Sequence, residues 1–304
     1  MCDCPHIPGN YCCFKNPFKP VTHVIFDLDG TLLDTEEIDR EVFLELCKEF
    51  GKKYTEDMHE LVLGTNESAA CATIVKHLKL DIDPKEFQKK FQEKNYKLVP
   101  DAQFMCGAEK LVNHFFNQQI PMAIATSSSS EAVKCKMSKK KDFFDKFHHF
   151  VCGNDDPEVL RGKPFPNIYF VAARRFEERP RRKQCLVFED AFNGVVSALG
   201  AGMQVIMVPT PVTPYEKWRY ATLRLDSLDG FIPELFGIPA FDAPKPPKKV
   251  VIVKGPCKPV IDPCEGFDEN AVEENKVEEK EDPCKEFEMQ NAPRKETDVK
   301  VTNY

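Results

Sequence analysis

The chain has 304 residues, of which 42% are hydrophobic, so it exceeds one average domain and can bury a sizeable core. Its formal net charge is −7, and residues 265–304, with thirteen acidic and six basic side chains, account for all of it. The remainder is close to neutral, so we expect no nucleic-acid partner. We also expect no membrane attachment and a cytoplasmic location, because the sequence shows neither a membrane-length apolar run nor a secretory signal.

The two ends of the chain differ in composition from its middle. Residues 1–20 contain five prolines and glycines, and their cysteines match no zinc-binding spacing, which favours a flexible arm. Residues 241–304 are rich in Pro, Lys and Glu without an apolar pattern. We therefore predict a disordered acidic tail, where a protein partner is possible. The cysteines between Cys47 and Cys185 occur singly within apolar or helical patterns, as in a reducing compartment.

Six short β-type runs recur through the middle of the chain, at residues 21–26, 122–125, 150–152, 185–188, 205–208 and 222–225. Helical patterns separate most of them; Leu111, Val112 and Phe115 mark one helix, and Val195 and Leu199 mark another. Alternating strands and helices predict an α/β protein with a doubly wound parallel sheet. We assign this core to residues 21–35 and 102–240.

More than ninety residues separate the first two runs, far more than one crossover connection needs. Most of this stretch has helical periodicity, with Val42, Phe43 and Leu46 on one side of its first helix and a later helix beginning after Pro84. We predict a small helical cap domain at residues 36–101. An insertion placed here can close over a site and exclude water, with hinges near residues 34–36 and 101–107.

The most informative stretch is residues 24–34, where a β-type run leads Asp27 and Asp29 into a turn at Gly30. Both carboxylates can then reach one cavity beyond the carboxyl end of the strand. One can attack phosphorus while the other transfers protons. Taken alone, the same pattern could also be a calcium-binding loop or a solvated turn.

Three further segments at or after β-type runs supply complementary groups. Thr126 and Ser127 end the second run and offer hydroxyl and backbone N–H groups for a phosphate oxygen, although the segment could also cap the next helix. Lys163 lies in a proline-stiffened loop and can neutralise charge on a transferring phosphoryl group. Glu189 and Asp190 directly follow the fourth run and suit Mg²⁺. Together the segments favour phosphoryl transfer.

This order of motifs resembles the haloacid dehalogenase superfamily, and the resemblance covers residues 21–240. Within that superfamily, the runs at residues 125–128, 156–159, 185–191 and 233–237 are similar to the pseudouridine-5′-phosphatases and their insect relatives. The resemblance implies a Rossmann-like core with an inserted cap. It also implies a cytosolic phosphatase that acts on a small phosphorylated metabolite.

The resemblance implies a role for each motif residue. Asp27 would be the nucleophile that forms an aspartyl-phosphate, and Asp29 the general acid and base. Phosphoryl oxygens would be held by Thr126, Ser127 and Lys163. The resemblance further implies a Mg²⁺ cofactor, whose ligands would be the Asp27 carboxylate, the Asp29 backbone carbonyl and Asp190, with Glu189 in or next to the coordination shell.

Some positions depart from the superfamily pattern. Phe165 and Phe192 stand where relatives often carry aspartate and a small residue, but neither change removes a catalytic group. Ser129 occupies a position where relatives often carry Arg or Lys near the substrate, so the preferred ester could differ. Pseudouridine 5′-phosphate is the expected substrate. The alternatives are a sugar-phosphate phosphatase or phosphomutase, and an interaction protein that works through its terminal extensions.

Overall fold

The computed structural model describes residues 17–210 and 213–247. Six parallel strands form one sheet in the order β3-β2-β1-β4-β5-β6, which confirms the predicted α/β class. The strands are β1 (His23–Phe26), β2 (Met122–Thr126), β3 (His149–Cys152), β4 (Cys185–Glu189), β5 (Gln204–Met207) and β6 (Leu223–Arg224). Each lies within two residues of a predicted run.

The central strands are apolar along their whole length because both faces of the sheet are covered. In β1, Val24 and Phe26 point into one hydrophobic layer and Ile25 into the other. The parallel register sets Phe26 beside Phe188 of β4, and their rings stack with centroids 4.8 Å apart. The register therefore brings the ends of β1 and β4 side by side, and the candidate site begins at those ends.

The stretch between β1 and β2 folds into four helices, α1 (Glu36–Glu49), α2 (Glu56–Val62), α3 (Glu67–Leu78) and α4 (Pro84–Leu98). Asn66 caps α3 and Asp83 caps α4 through side-chain oxygens that accept backbone N–H groups at 2.8 and 2.9 Å. The helices bury a hydrophobic cluster of their own, in which Phe43 stacks on Phe91 with centroids 4.3 Å apart. We call residues 36–101 the cap.

The remaining helices cover the sheet; they are α5 (Ala108–Asn117), α6 (Ser130–Met137), α7 (Lys141–Phe144), α8 (Asn167–Arg175), α9 (Phe192–Gly200) and α10 (Tyr215–Trp218). Apolar residues of α5 share one hydrophobic layer with Phe26, whereas those of α8 and α9 share the other with Ile25. Helices α8 and α9 therefore follow strands β3 and β4 across one face of the sheet, and α5 lies on the opposite face.

The two chain segments that join core and cap lie side by side. The Asp34 N–H donates to the Gln103 carbonyl at 2.9 Å, and the Met105 N–H donates to the Leu32 carbonyl at 3.0 Å. A bridge between Leu33 and Phe104 lies within this pairing. The cap thus enters and leaves the core at a single hydrogen-bonded junction.

Packed residues extend beyond the core boundaries expected from sequence. Near the N-terminus, the Lys19 N–H donates to Gln204 Oε1 at 2.9 Å, although residues 17–20 were assigned to the arm. Near the C-terminus, Gln118 Nε2 donates to the Ala243 carbonyl at 3.0 Å, although residues 241–247 were assigned to the tail. Phe18 and Phe241 also pack against the core, the Phe18 ring lying 4.8 Å from that of Phe236, but isolated hydrogen bonds and single aromatic residues create no apolar periodicity. The rest of the arm and the tail lies outside the described residues.

Within residues 17–210 and 213–247, no helix combines the length and the apolar character that crossing a membrane requires. The six cysteines in this part of the chain are all free thiols, and Cys47, Cys71 and Cys185 are buried. They behave as small apolar core residues.

The cap cluster predicts a large cost for opening a cavity in it. Phe91 is 1% exposed, so Phe91→Ala should lower the free energy of unfolding by about 3–5 kcal/mol. Phe116→Ala is the matched control, because Phe116 is 53% exposed and its loss should change stability by about 0.5 kcal/mol or less. Urea denaturation followed by circular dichroism measures both. If Phe91→Ala lowered the free energy of unfolding as little as Phe116→Ala, the cap cluster would contribute little to stability.

Candidate active site

The predicted site residues meet at the carboxyl edge of the sheet. Asp27 follows β1 directly, Thr126 is the last residue of β2, and Glu189 is the last residue of β4. Lys163 comes from the connection between β3 and α8. Because parallel strands end on the same side of a sheet, residues more than 150 positions apart become neighbours. A cavity between this edge and the cap is lined by Asp27, Asp29, Ser127, Lys163, Glu189 and Asp190.

Lys163 is the central cation of the site. Its side chain is 3% exposed, and its Nζ contacts Asp27 Oδ1 and lies 2.7 Å from Glu189 Oε1. Burial would lower the pKa of this ammonium, but the charges of Asp27 and Glu189 outweigh burial and raise it. The Tyr169 hydroxyl donates to the same Glu189 oxygen. Lys163 is therefore a permanent, fixed positive charge beside Asp27.

Three buried carboxylates form a cluster beside this lysine. Ligand oxygens of Asp27, Glu189 and Asp190 all lie within 4.8 Å of one another. Burial, only partly offset by Lys163, raises the pKa of Asp27 to about 8, and burial beside Asp27 raises the pKa of Asp190 well above its usual range. Asp190 Oδ2 is buried and has no hydrogen-bond partner among the described residues. An excess of buried oxygen donors over positive charge fits a hard divalent cation such as Mg²⁺.

Asp29 has a different environment from Asp27. Four side chains donate to its carboxylate: Thr35 Oγ1 at 2.7 Å, Lys136 Nζ at 2.6 Å, Ser128 Oγ at 2.9 Å and Thr126 Oγ1 at 3.1 Å. Burial alone would raise the pKa of Asp29, but the charge of Lys136 and these hydrogen bonds outweigh it and lower the pKa. The pKa values of the two aspartates are therefore shifted in opposite directions.

The hydroxyl groups at the end of β2 and in the segment that follows have different roles. Thr126 Oγ1 donates to Asp29 and accepts the Ser128 N–H at 3.0 Å. Ser127 lines the cavity. The following helix is capped by Ser129, whose Oγ accepts the Ala132 N–H at 3.2 Å, and not by Thr126 or Ser127. Ser129 therefore acts as a helix cap. This is the position at which relatives often carry Arg or Lys near the substrate.

Two glycines let the carboxylates approach the backbone closely. Gly30 has φ +73°, and a Cβ there would lie 2.3 Å from Asp190 Oδ2. A Cβ on Gly194 would lie 1.9 Å from the Glu189 carboxyl carbon. Any larger side chain at either position would displace a carboxylate of the site, which explains why glycine follows the acidic pairs in both motifs.

Sequence reasoning missed Lys136 and the cap side of the cavity. Lys136 is 4% exposed, and its Nζ also lies 2.8 Å from Ser128 Oγ. A signal for it exists, because Lys136 lies three and four positions after Val133 and Ala132 and so shares the buried face of α6. The cap contributes Glu36, Asp39, Glu67 and Asn95 to the lining. No local pattern marks those four residues, because three separate helices supply them.

A buried aspartate beside a fixed lysine, with a cluster of further oxygen donors at the carboxyl edge of a parallel sheet, is the arrangement that a hydrolase of the phosphoryl-transfer class needs. Comparison with known proteins agrees. Over residues 24–208 the chain matches the haloacid dehalogenase-like hydrolase family, to which it belongs, and its relatives include several phosphatases.

Two curated relatives span most of the described residues. A probable pseudouridine-5′-phosphatase of Drosophila melanogaster is 41% identical over 223 residues, 73% of this chain and 96% of the relative. The (DL)-glycerol-3-phosphatase 2 of Arabidopsis thaliana is 36% identical over 225 residues, 73% of this chain and 93% of the relative. Among solved structures, a CbbY mutant from Rhodobacter sphaeroides in complex with xylulose-(1,5)bisphosphate has a TM-score of 0.60 at 25% identity, covering 69% of this chain and 96% of that one.

The close approach at Gly30 gives a matched pair of variants. Gly30→Ala and Gly51→Ala both place a side chain at positive φ, so each should cost about 1–2 kcal/mol of stability. A Cβ at Gly51 meets nothing within 4 Å, whereas a Cβ at Gly30 meets Asp190. We expect phosphatase activity to fall at least about 100-fold in Gly30→Ala only. Similar activity in the two variants would show that Asp190 does not need its present position.

The buried pair of Lys136 and Asp29 gives a second matched test. Lys136→Met leaves the Asp29 carboxylate buried without its cation, which should destabilise the protein by about 3–5 kcal/mol and reduce turnover at least about tenfold. Lys134→Met removes an exposed lysine from the same helix and should change neither quantity appreciably. Thermal unfolding and steady-state hydrolysis of p-nitrophenyl phosphate measure the two effects. Unchanged turnover in a folded Lys136→Met protein would rule out a role for Lys136 at the site.

Proposed function

We propose that this protein is a Mg²⁺-dependent phosphatase that hydrolyses a small phosphate monoester through an aspartyl-phosphate on Asp27. One observation carries the proposal: the Asp27 carboxylate contacts the fixed ammonium of Lys163 and lies within 4.8 Å of an Asp190 carboxylate oxygen. This arrangement supports a nucleophile that approaches an anionic phosphate beside concentrated positive charge.

The proposed Mg²⁺ ligands are the Asp27 carboxylate, the Asp29 backbone carbonyl and Asp190, with Glu189 in or next to the coordination shell. When bound, the cation would screen the repulsion between nucleophile and substrate and favour the ionised form of Asp27. Glu189 is already fixed by Lys163 and by the Tyr169 hydroxyl, which supports an orienting role for it. The positive charge of Lys163 offsets part of the negative charge of the carboxylates, whichever of them bind the metal.

In the proposed reaction an Asp27 oxygen attacks phosphorus and the ester oxygen leaves with a proton from Asp29. Lys163, Thr126 and Ser127 hold the phosphoryl oxygens. Water then attacks the aspartyl-phosphate, Asp29 accepts a proton from it, and inorganic phosphate is released. The low pKa of Asp29 suits this second, base step. For the first step Asp29 must take up a proton, which the phosphate monoester or solvent can supply.

The substrate is proposed from the relatives. Pseudouridine 5′-phosphate is the first candidate, because the named relative with 41% identity is a probable pseudouridine-5′-phosphatase. A polyol or sugar phosphate is the second, because a glycerol-3-phosphatase is 36% identical over a similar span. A phosphomutase or a non-catalytic interaction protein, with a partner for the acidic tail, has less support. A cytoplasmic location fits such metabolic substrates.

The proposed function predicts a complete dependence on Asp27 and on Mg²⁺. Asp27→Asn should reduce phosphate release from pseudouridine 5′-phosphate, glycerol 3-phosphate and hexose phosphates by at least about 1,000-fold. A chelator should abolish release by the wild type, and added Mg²⁺ should restore it. Asp81→Asn, in an exposed turn of the cap, is the control and should keep wild-type rates.

The covalent intermediate is tested in the same experiment. Acid quenching during turnover, followed by digestion and mass spectrometry, should find one added phosphate on the peptide that contains Asp27. Substantial turnover by Asp27→Asn, or a phosphate on another residue, would contradict the proposed mechanism. Absence of turnover by a folded, Mg²⁺-loaded wild type on every ester would favour the interaction protein.

A further inference from the structure

Tyr169 is a fully buried residue beside the carboxylate cluster, and the proposed reaction gives it no direct role. It lies in the first turn of α8, and its ring packs in the hydrophobic layer that also contains Ile25. The hydroxyl is the only polar atom of this side chain, and it donates to Glu189 Oε1. A residue held rigidly in the core therefore contacts one of the clustered carboxylates.

Two donors converge on the same oxygen of Glu189. Lys163 Nζ lies 2.7 Å from Glu189 Oε1, and the Tyr169 hydroxyl donates to that oxygen as well. The Lys163 ammonium also lies 5.6 Å from the centroid of the Tyr169 ring, so the two donors pack against each other. A carboxylate oxygen has about two lone-pair sites, so Oε1 keeps no site for a cation.

The Glu189 carboxylate has little freedom to turn. Glu189 is 1% exposed, and its carboxylate lies directly against the backbone at Gly194, where a Cβ would lie 2.0 Å from both carboxylate oxygens. Rotation would also separate Oε1 from Lys163 and Tyr169, which is costly in a buried site. Glu189 can therefore offer a cation only one oxygen, Oε2.

The other two carboxylates of the cluster differ in how many oxygens they can offer. Asp27 Oδ1 contacts the Lys163 ammonium, so this carboxylate also has one oxygen engaged by a donor. Asp190 Oδ2 has no hydrogen-bond partner among residues 17–210 and 213–247. The cluster thus contains three carboxylates, but donors already engage one oxygen in each of two of them.

The number of available oxygens distinguishes Mg²⁺ from Ca²⁺. Ca²⁺ takes about six to eight oxygen ligands and often binds a carboxylate through both oxygens, whereas Mg²⁺ is smaller, keeps several waters and needs only one or two carboxylates. A site in which Glu189 cannot bind through both oxygens meets the requirement of Mg²⁺ better than that of Ca²⁺. Removal of the Tyr169 hydroxyl would release Oε1 from one donor and give the carboxylate room to bind the larger cation.

We propose that Tyr169 is a positioning residue that makes the site selective for Mg²⁺ over Ca²⁺, because its hydroxyl restricts Glu189 to a single available oxygen. This inference rests on the proposed function and adds to it the discrimination between two divalent cations. Tyr169 acts through Glu189 and does not need to contact the cation.

The test measures cation binding directly, without turnover. Isothermal titration calorimetry of the full chain, first freed of metal with a chelator, gives one Kd for Mg²⁺ and one for Ca²⁺. In the wild type, the Kd for Ca²⁺ should exceed that for Mg²⁺ at least about tenfold. Tyr169→Phe keeps the ring beside Lys163 and removes only the hydroxyl, so the ratio of the two Kd values should fall at least about tenfold.

Two further variants show where the effect arises. Tyr215→Phe is the matched control, because Tyr215 is 56% exposed, and it should keep the wild-type ratio. In a Glu189→Gln background, Tyr169→Phe should change the ratio no further, since the hydroxyl acts through the Glu189 carboxylate. Circular dichroism verifies that each variant is folded. Cation binding elsewhere on the chain is common to all variants and does not produce a difference between them.

The outcomes separate this inference from the proposed function. A folded wild type that binds neither cation would contradict the proposed Mg²⁺ dependence itself. A wild type that binds Ca²⁺ as tightly as Mg²⁺ would overturn the selectivity alone, and this result requires no variant. An unchanged ratio in Tyr169→Phe, with both cations weakened equally, would leave Tyr169 a purely structural role. A further change in the Glu189→Gln background would show that the hydroxyl does not act through Glu189.

Discussion

The ion pair between Lys163 and the carboxylates of Asp27 and Glu189 is the interaction on which the site depends. Burying several carboxylates at one sheet edge is unfavourable unless a cation is buried with them. Lys163 supplies that cation from outside the strands, and its side chain is only 3% exposed. One lysine cannot balance three buried acids, and Asp190 Oδ2 has no hydrogen-bond partner among residues 17–210 and 213–247, so the site keeps an excess of oxygen donors that fits a divalent cation.

The distribution of charge around the site also gives different pKa values to two aspartates that are only two positions apart. Asp27 faces Lys163 and other acids, so its pKa is raised; Asp29 faces Lys136 and three hydroxyl groups, so its pKa is lowered. The turn at Gly30 makes this possible, because the chain there directs the Asp27 and Asp29 side chains into different surroundings. The proposed nucleophile and the proposed proton carrier can therefore come from one short motif and still differ in pKa.

The core of the fold and the assembly of its motifs could be predicted from sequence because both follow from local pattern. Asp27, Thr126 and Glu189 end apolar β-type runs, and a parallel sheet necessarily gathers such ends. Asp39 and Asn95 could not be found in this way, because each is a polar residue on an otherwise ordinary amphipathic helix of the cap, and only tertiary packing brings it to the cavity. Lys136 leaves a weak signal, since it shares the buried face of its helix with Val133, but that face alone does not place its ammonium beside Asp29. The segments 17–20 and 241–247 were missed for a related reason, since isolated hydrogen bonds and a single packed phenylalanine in each segment leave no periodic signal.

The pairing of the two linkers between core and cap has a consequence for how such enzymes diversify. The two ends of the cap are adjacent, because Asp34 and Gln103 are joined by a backbone hydrogen bond. Replacing the cap by a different domain would therefore alter the core at one surface loop only. The cap has its own hydrophobic cluster, so its interior can be rebuilt without disturbing the sheet. Recognition and chemistry thereby become separable modules, free to change at different rates over evolutionary time.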